Sequence, residues 1–127
     1  MRSAGVRALY AETRAGVIHA VRAGAGRPIL LLHQTPRSVD EYRDVAPLLA
    51  RDFSVIAMDT PGFGGSPPLS GAAPSIEAWA LAALALLDAL AIQEAAVVGH
   101  HTGAAIALEI AAQAPQRLQR RRRRSLP

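Results

Sequence analysis

Apolar positions along the chain follow two kinds of spacing. Val6–Tyr10 and Val17–Val21 alternate loosely between apolar and polar residues, the pattern of half-buried strands, with Glu12–Gly16 as the turn between them. Ile29-Leu30-Leu31-Leu32 is instead a continuous apolar run following the glycine-rich stretch Gly24–Pro28, which predicts a strand buried on both faces. Phe53–Met58 and Ala95–Val98 predict two more buried strands. Helical spacings separate these runs. Ser38-Val39-Asp40-Glu41 reads as a capping box, in which the Ser38 hydroxyl takes the Glu41 amide and Glu41 reaches back. It opens a helix with Tyr42, Val45 and Leu49 inward, kinked or divided by Pro47. Ser75 caps a second helix, with Glu77 at its positive end. There Ile76, Trp79, Ala80, Ala83, Leu84, Leu87 and Leu90 share one face. A third helix, Ala104–Ala114, stops at Pro115. Buried strands alternating with helices predict an α/β class: three layers, α/β/α, around a mostly parallel sheet with antiparallel first strands. No internal repeat is visible.

At 127 residues the chain is one domain at most. No apolar run approaches the roughly 18–20 residues that span a bilayer. The longest, Ala78–Leu87, is interrupted by Asp88. Arg7, Glu12 and Arg14 fall where a signal peptide needs an unbroken apolar segment, so the expectation is a cytoplasmic protein with no membrane partner. Cysteine is absent, which excludes disulfides and thiolate chemistry, and neither a metal nor a cofactor is expected. The net charge of +4 is misleading, because all fourteen basic residues are arginine and six lie in the last eleven positions. Residues 1–116 hold eight arginines against ten acids, a net of −2. The chain therefore divides into a mildly acidic body, 1–116, and an arginine-rich tail, 117–127, expected to be disordered and solvated. A nucleic-acid role for the tail is disfavoured, since neither a basic face nor an aromatic platform supports it.

Three stretches fall at the carboxyl ends of successive inner strands, where open α/β sheets place their ligands. They are "LLHQTP" (Leu31–Pro36), "MDTPGFGGS" (Met58–Ser66) and "VVGHHTGAA" (Val97–Ala105). In this order and spacing they resemble the N-terminal half of an α/β-hydrolase-fold protein, from about Val6 to Arg117. In that family the last stretch carries G-x-nucleophile-x-G. Gly99-His100-His101-Thr102-Gly103 matches it with histidine at the centre. The resemblance implies a strained bend that throws the His101 side chain off the end of the strand. Strand and helix approach so closely there that the flanking positions must be small. It further implies an oxyanion hole made by the backbone amide of Thr102 and one from the turn His33-Gln34-Thr35-Pro36, where Thr35 is in place to supply it. Each such amide is worth about 3–4 kcal/mol in a transition state. Gln34 stands where the family usually has glycine and adds a side-chain amide near the pocket, while His33 anchors the turn. Asp59, Gly62, Gly64 and Ser66 match the family's D-x-x-G-x-G-x-S turn, in which the carboxylate accepts amides of its own loop. With the third strand between the fourth and fifth, Asp59 and His101 start about 9–10 Å apart, too far for direct pairing.

Histidine at this bend excludes the usual Ser–His–acid chemistry at the position. Thr102 cannot replace it, because a shift of one residue misaligns both glycines. Imidazole can act as a base or attack an electrophile as a nucleophile. His100 is expected to point away from the pocket. Family members continue with a sixth strand, a lid, a triad acid and a late histidine, whereas "LQRRRRRSLP" does not read as that strand. Arginine without lysine fits a frameshifted or truncated product of a GC-rich gene. The strand at Ala95–Val98 then becomes an exposed edge, which predicts self-association. The functional expectation is a hydrolase of a small organic substrate (ester, amide, epoxide or similar), inactive or weakly active in this form. The alternative is a non-catalytic remnant or interaction module of the same fold.

Overall fold

The computed structural model describes residues 5–69, 71 and 73–119. Five strands and three α-helices follow in the order β1 (Arg7–Thr13), β2 (Gly16–Ala23), β3 (Arg27–Leu32), α1 (Ala46–Leu49), β4 (Phe53–Met58), α2 (Ile76–Ala89), β5 (Ala96–Gly99) and α3 (Thr102–Gln113). They form one mixed sheet ordered β1-β2-β4-β3-β5. β3 pairs in parallel with both β4 and β5, while β2 runs antiparallel to β1 and β4. The α/β class with antiparallel first strands is therefore observed. The hairpin turn is tighter than expected, because Thr13 pairs with Gly16 and leaves only Arg14 and Ala15 between the strands. Thr13 Oγ1 closes it, accepting from the Ala15 amide and donating to the Gly16 carbonyl.

Two-residue periodicity sorts the strand side chains onto two faces. Leu30, Leu32, Ile56 and Met58 pack with Ile18 and Ala20 against α2 and α3. Ile29, Leu31, Val55 and Ala57 face the opposite way, against Tyr42 and Ala46. This two-sided burial is why Ile29–Leu32 of β3 and Val55–Met58 of β4 read as continuous apolar runs. In α2 the Ser75 hydroxyl accepts the Ala78 amide, as its capping position predicts. Small alanines at 80, 82, 83 and 85 let the helix lie close to the sheet.

The segment after β3 departs from expectation. Ser38 Oγ accepts from the Asp40 amide rather than that of Glu41, and Glu41 does not return to Ser38, so no capping box forms. The expected helix is a 3-10 turn, Val39–Tyr42, followed by the separate short α1. Pro47 sits in the first turn of α1, where a missing amide costs nothing. Tyr42 is buried and Leu49 half-buried, but Val45 points to solvent.

At the other edge, the boundary expected at 116/117 moves outward. The Arg117 guanidinium donates to the carbonyls of Ile92 and Gln93 and pairs with Asp88. Leu118 packs on the core and bridges Ala95 in parallel. Ala95 donates to the Arg117 carbonyl and accepts the Gln119 amide. The remaining tail, 120–127, lies outside the described residues. Beyond this bridge the outer side of β5 has no strand partner among the described residues. A groove of about 580 Å³ runs there, lined by β5, the small residues of α3, Leu108 and Leu118. Among the described residues no helix is long and apolar enough to cross a membrane.

Candidate active site

β3, β4 and β5 end side by side, and their C-terminal turns form the site. The turn from β5 to α3 has the sharpest backbone. His101 is the N-cap of α3 with φ 54° and ψ −111°, a conformation that costs an L-residue about 1–3 kcal/mol. Its side chain is exposed. Both glycines of the turn are required by space. A Cβ on Gly99 would run into the Gly103 carbonyl, and a Cβ on Gly103 into the Leu32 carbonyl at the end of β3. The backbone is pinned on either side of the bend. The His100 amide donates to the Leu32 carbonyl at 3.2 Å, and the Ala104 and Ala105 amides donate to the His101 carbonyl.

The turn after β3 is held from below. His33 is fully buried; its Nδ1 donates to the Gln34 carbonyl at 2.8 Å and its Nε2 accepts the Thr60 amide at 3.0 Å. Arg37 donates its amide to the same Gln34 carbonyl, so the turn closes with glutamine where the family has glycine. The buried Tyr42 hydroxyl donates to the Leu32 carbonyl at 2.8 Å. Burial, reinforced by the neighbouring Glu41 charge, pushes its pKa up to about 12.

Thr35 and Thr102 meet across the gap between the two turns. Their hydroxyls are hydrogen-bonded at 2.9 Å, and the Thr35 amide makes only a long 3.5 Å contact to Thr102 Oγ1. The Thr102 amide begins the first turn of α3, where amides lack intrahelical acceptors. The exposed imidazole of His101 thus precedes a threonine whose hydroxyl is engaged by both the hydroxyl and the amide of Thr35. The cross-linked hydroxyls keep the two turns in register.

Asp59, at the end of β4, is committed elsewhere. Its Oδ1 accepts the Val39 amide at 2.7 Å, and its Oδ2 accepts the Gly65 amide at 2.8 Å and His19 Nδ1 at 2.7 Å. Gly64, with φ +55°, allows this loop to close over the carboxylate. β3 separates β4 from β5, and no contact joins Asp59 to His101. The Asp59–His19 pair escaped sequence reasoning, because nothing local signals a contact between residues forty positions apart.

Glu41 and His100 were also misplaced by sequence. Glu41 Oε1 accepts the Gln34 amide at 2.9 Å, and Oε2 accepts from His100 Nδ1 at 2.6 Å. His100 therefore turns toward the β3 turn rather than away from the site, and its ring meets that of His101 edge to face, 4.5 Å between centroids. Among the described residues no group of three or more His, Asp or Glu is arranged to hold a metal ion.

The family model described as alpha/beta hydrolase fold matches residues 27–120. The chain is 38% identical over 101 residues to 2-hydroxymuconate semialdehyde hydrolase of Pseudomonas sp. (strain CF600), covering 77% of this chain and 36% of that protein. It is 38% identical over 95 residues to the soluble epoxide hydrolase of Corynebacterium sp. (strain C12), covering 74% and 32%. The solved structure of epoxide hydrolase CorEH without ligand superposes with a TM-score of 0.84 at 31% identity, covering 89% of this chain and 40% of that one. This chain spans about a third of the length of these curated relatives. With that match over most of its length, and with the strand order and bend described above, the chain belongs to the α/β-hydrolase-fold family.

Proposed function

We propose that this chain carries the elbow and oxyanion turns of a hydrolase acting on a small organic electrophile such as an ester, amide or epoxide. His101 is the reactive side chain, as base or nucleophile, and the amides of Thr35 and Thr102 receive the developing negative charge. The observation that carries this reading is the backbone of His101: a conformation costing 1–3 kcal/mol persists only where surrounding structure enforces it. Gly99 and Gly103 enforce it here by allowing β5, α3 and the end of β3 to touch. The hydrolase relatives support the reaction class. Hydrolysis of p-nitrophenyl acetate by the protein and by His101→Ala tests it. Equal rates would remove His101 from the chemistry.

A second reading, a non-catalytic interaction module, draws on a different observation. Beyond the Ala95–Leu118 bridge the outer side of β5 has no strand partner among the described residues; Val98 of β5 is 47% exposed, and Leu108, which lines the groove, is 74% exposed. Such an edge recruits another strand, from a second copy or another protein. Wild-type and His101→Ala proteins with equal, near-zero turnover that both self-associate would favour this reading.

A further inference from the structure

We propose that Glu41 and His100 form the proton-handling carboxylate–imidazole dyad of this site, with His100 Nε2 as its reactive nitrogen. The proposal rests on the hydrolytic reading above but gives a role to His100, an unspecified position of the elbow motif, and to Glu41, which lies outside it. Of the four histidines, His33 has both ring nitrogens engaged and no exposure. His19 is bound to Asp59 but lies on β2, three strands from β5 in the sheet. His101 has no carboxylate partner among the described residues. Only His100 combines a carboxylate with a place beside the bend.

The geometry of Glu41 suits this task. A surface ion pair swings and contributes little, but here each carboxylate oxygen has its own duty. Oε1 is held by the Gln34 amide of the oxyanion turn, which leaves Oε2 aimed at His100 Nδ1. The Glu41 side chain is 14% exposed, whereas that of His100 is 47% exposed. The acid is sheltered and fixed, and the base is open on its far side. A carboxylate on Nδ1–H sets the tautomer, leaving the Nε2 lone pair free to take a proton or attack an electrophile. Glu41 is thus a positioning residue, and it ties the base to the same turn that presents Thr35.

The chemistry balances without a co-reactant beyond water. In hydrolysis with His101 as nucleophile, one of its ring nitrogens bonds to the acyl carbon as the alkoxide leaves with the electron pair and takes the proton of the other ring nitrogen. His100 Nε2 then takes a proton from water as the water oxygen bonds to the acyl carbon, and passes it to the His101 ring as the carbon–nitrogen bond breaks. With an acylating reagent and no turnover, Nε2 itself bonds to the carbonyl carbon, the leaving group departs with the electron pair, and the Nδ1 proton moves to Glu41.

Diethyl pyrocarbonate, with peptide mass mapping of each histidine, tests the dyad independently of catalysis. Glu41→Gln is the informative variant. Its carbonyl oxygen still accepts the Gln34 amide, while its NH2 cannot accept from Nδ1–H. The expected result is at least a fivefold slower acylation of His100 in E41Q, with the His101 rate unchanged. Imidazole nitrogen NMR should show Nδ1–H on His100 in the wild type and a shift toward Nε2–H in E41Q. An unchanged His100 rate, or an Nε2–H tautomer in the wild type, overturns the proposal. Parallel loss of His100 and His101 reactivity would also overturn it, because a collapsed turn rather than a broken dyad produces that. A p-nitrophenyl acetate rate insensitive to His101→Ala defeats the hydrolytic reading alone, since the acylation and tautomer results stand apart from it.

Discussion

The strained bend at His101 makes a quantitative prediction about stability. At φ 54° and ψ −111°, an L-residue carries a penalty of about 1–3 kcal/mol that glycine avoids. Replacing His101 by alanine removes the imidazole but keeps the penalty. Replacing it by glycine removes both. Each variant loses the edge-to-face contact with His100, so that term cancels when the two are compared. Glycine also adds freedom to the unfolded chain, which costs about 0.4–1 kcal/mol. The difference predicts that His101→Gly is more stable than His101→Ala by up to roughly 2.5 kcal/mol, with about 1–1.5 kcal/mol at the middle of both ranges. In a domain of this size that is a few degrees or more in the melting midpoint. Guanidinium titrations of both variants, followed by far-UV circular dichroism at matched dilute concentration, measure it. An alanine variant as stable as the glycine variant would show that the bend stores no strain, and the argument for an enforced reactive position would fail with it.

Gly103→Ala should destabilise the fold by about 1–2 kcal/mol. Its Cβ meets two main-chain carbonyls, of Leu32 and His33, an overpacking that exceeds the gain of about 1 kcal/mol from alanine's helix propensity; a more stable variant would contradict the close approach. For Tyr42 the sign runs toward alkali. Its folded pKa is raised from 10.0 to about 12, so its contribution is complete below pH 10 and is lost as pH climbs through 12. Tyr42→Phe should flatten stability across that window, at a cost near neutrality of about 0.5–1.5 kcal/mol for the bond to Leu32, and an unchanged alkaline slope would refute it. Asp88 behaves oppositely. Its hydrogen bond to Arg14, then that to Arg117, holds its carboxyl below the ordinary 3.8, so its stabilisation is present above that pH and fades as pH falls through the lowered value. Asp88→Asn should therefore cost on the order of 1 kcal/mol at neutral pH, for one exposed pair with Arg14 and one half-sheltered pair with Arg117, and nothing in strong acid. Finally, Val98→Lys with Leu108→Lys should raise the monomer fraction seen by analytical ultracentrifugation, because charges on an open edge oppose strand addition; a wild type sedimenting as a sharp monomer would defeat the premise.

What could be read from sequence, and what could not, divides by the range of the constraint. Phe53–Met58 coincides with β4, and Ile29–Leu32 lies within β3, because two-sided burial makes both runs apolar apart from the buried Ser54. The bend was legible for a similar reason. Gly99, His101 and Gly103 lie within five residues, and the space that requires Gly99 belongs to the same turn, although Gly103 is required by the end of β3. Ser38–Glu41 has the letters of a capping box, yet a capping box needs the Glu41 side chain to turn back on its own helix. The folded chain offers Glu41 better partners, the Gln34 amide seven residues upstream and His100 nearly sixty downstream, and neither is visible locally. Val45 was misassigned as a consequence, since one continuous helix would have turned it inward whereas a 3-10 turn followed by α1 turns it out. Composition misled at Arg117, whose charge suggested a solvated tail while its guanidinium binds the Ile92 and Gln93 carbonyls in the connection between α2 and β5.

The contacts that were missed are those that bind separate turns into one site. Glu41 joins the 3-10 turn, the β3 turn and the elbow through two oxygens, and the Thr35–Thr102 hydroxyl pair joins the last two again. An elbow glycine pattern specifies where one side chain emerges. It does not specify what that side chain emerges beside. Under the proposed reading, reactivity depends on the second condition, because an imidazole facing solvent alone is an ordinary base, whereas one beside a carboxylate-held imidazole has a proton acceptor at hand. The chemistry of this rim therefore belongs to the meeting of three turns, and substitutions at Glu41 should alter it as surely as those at His101.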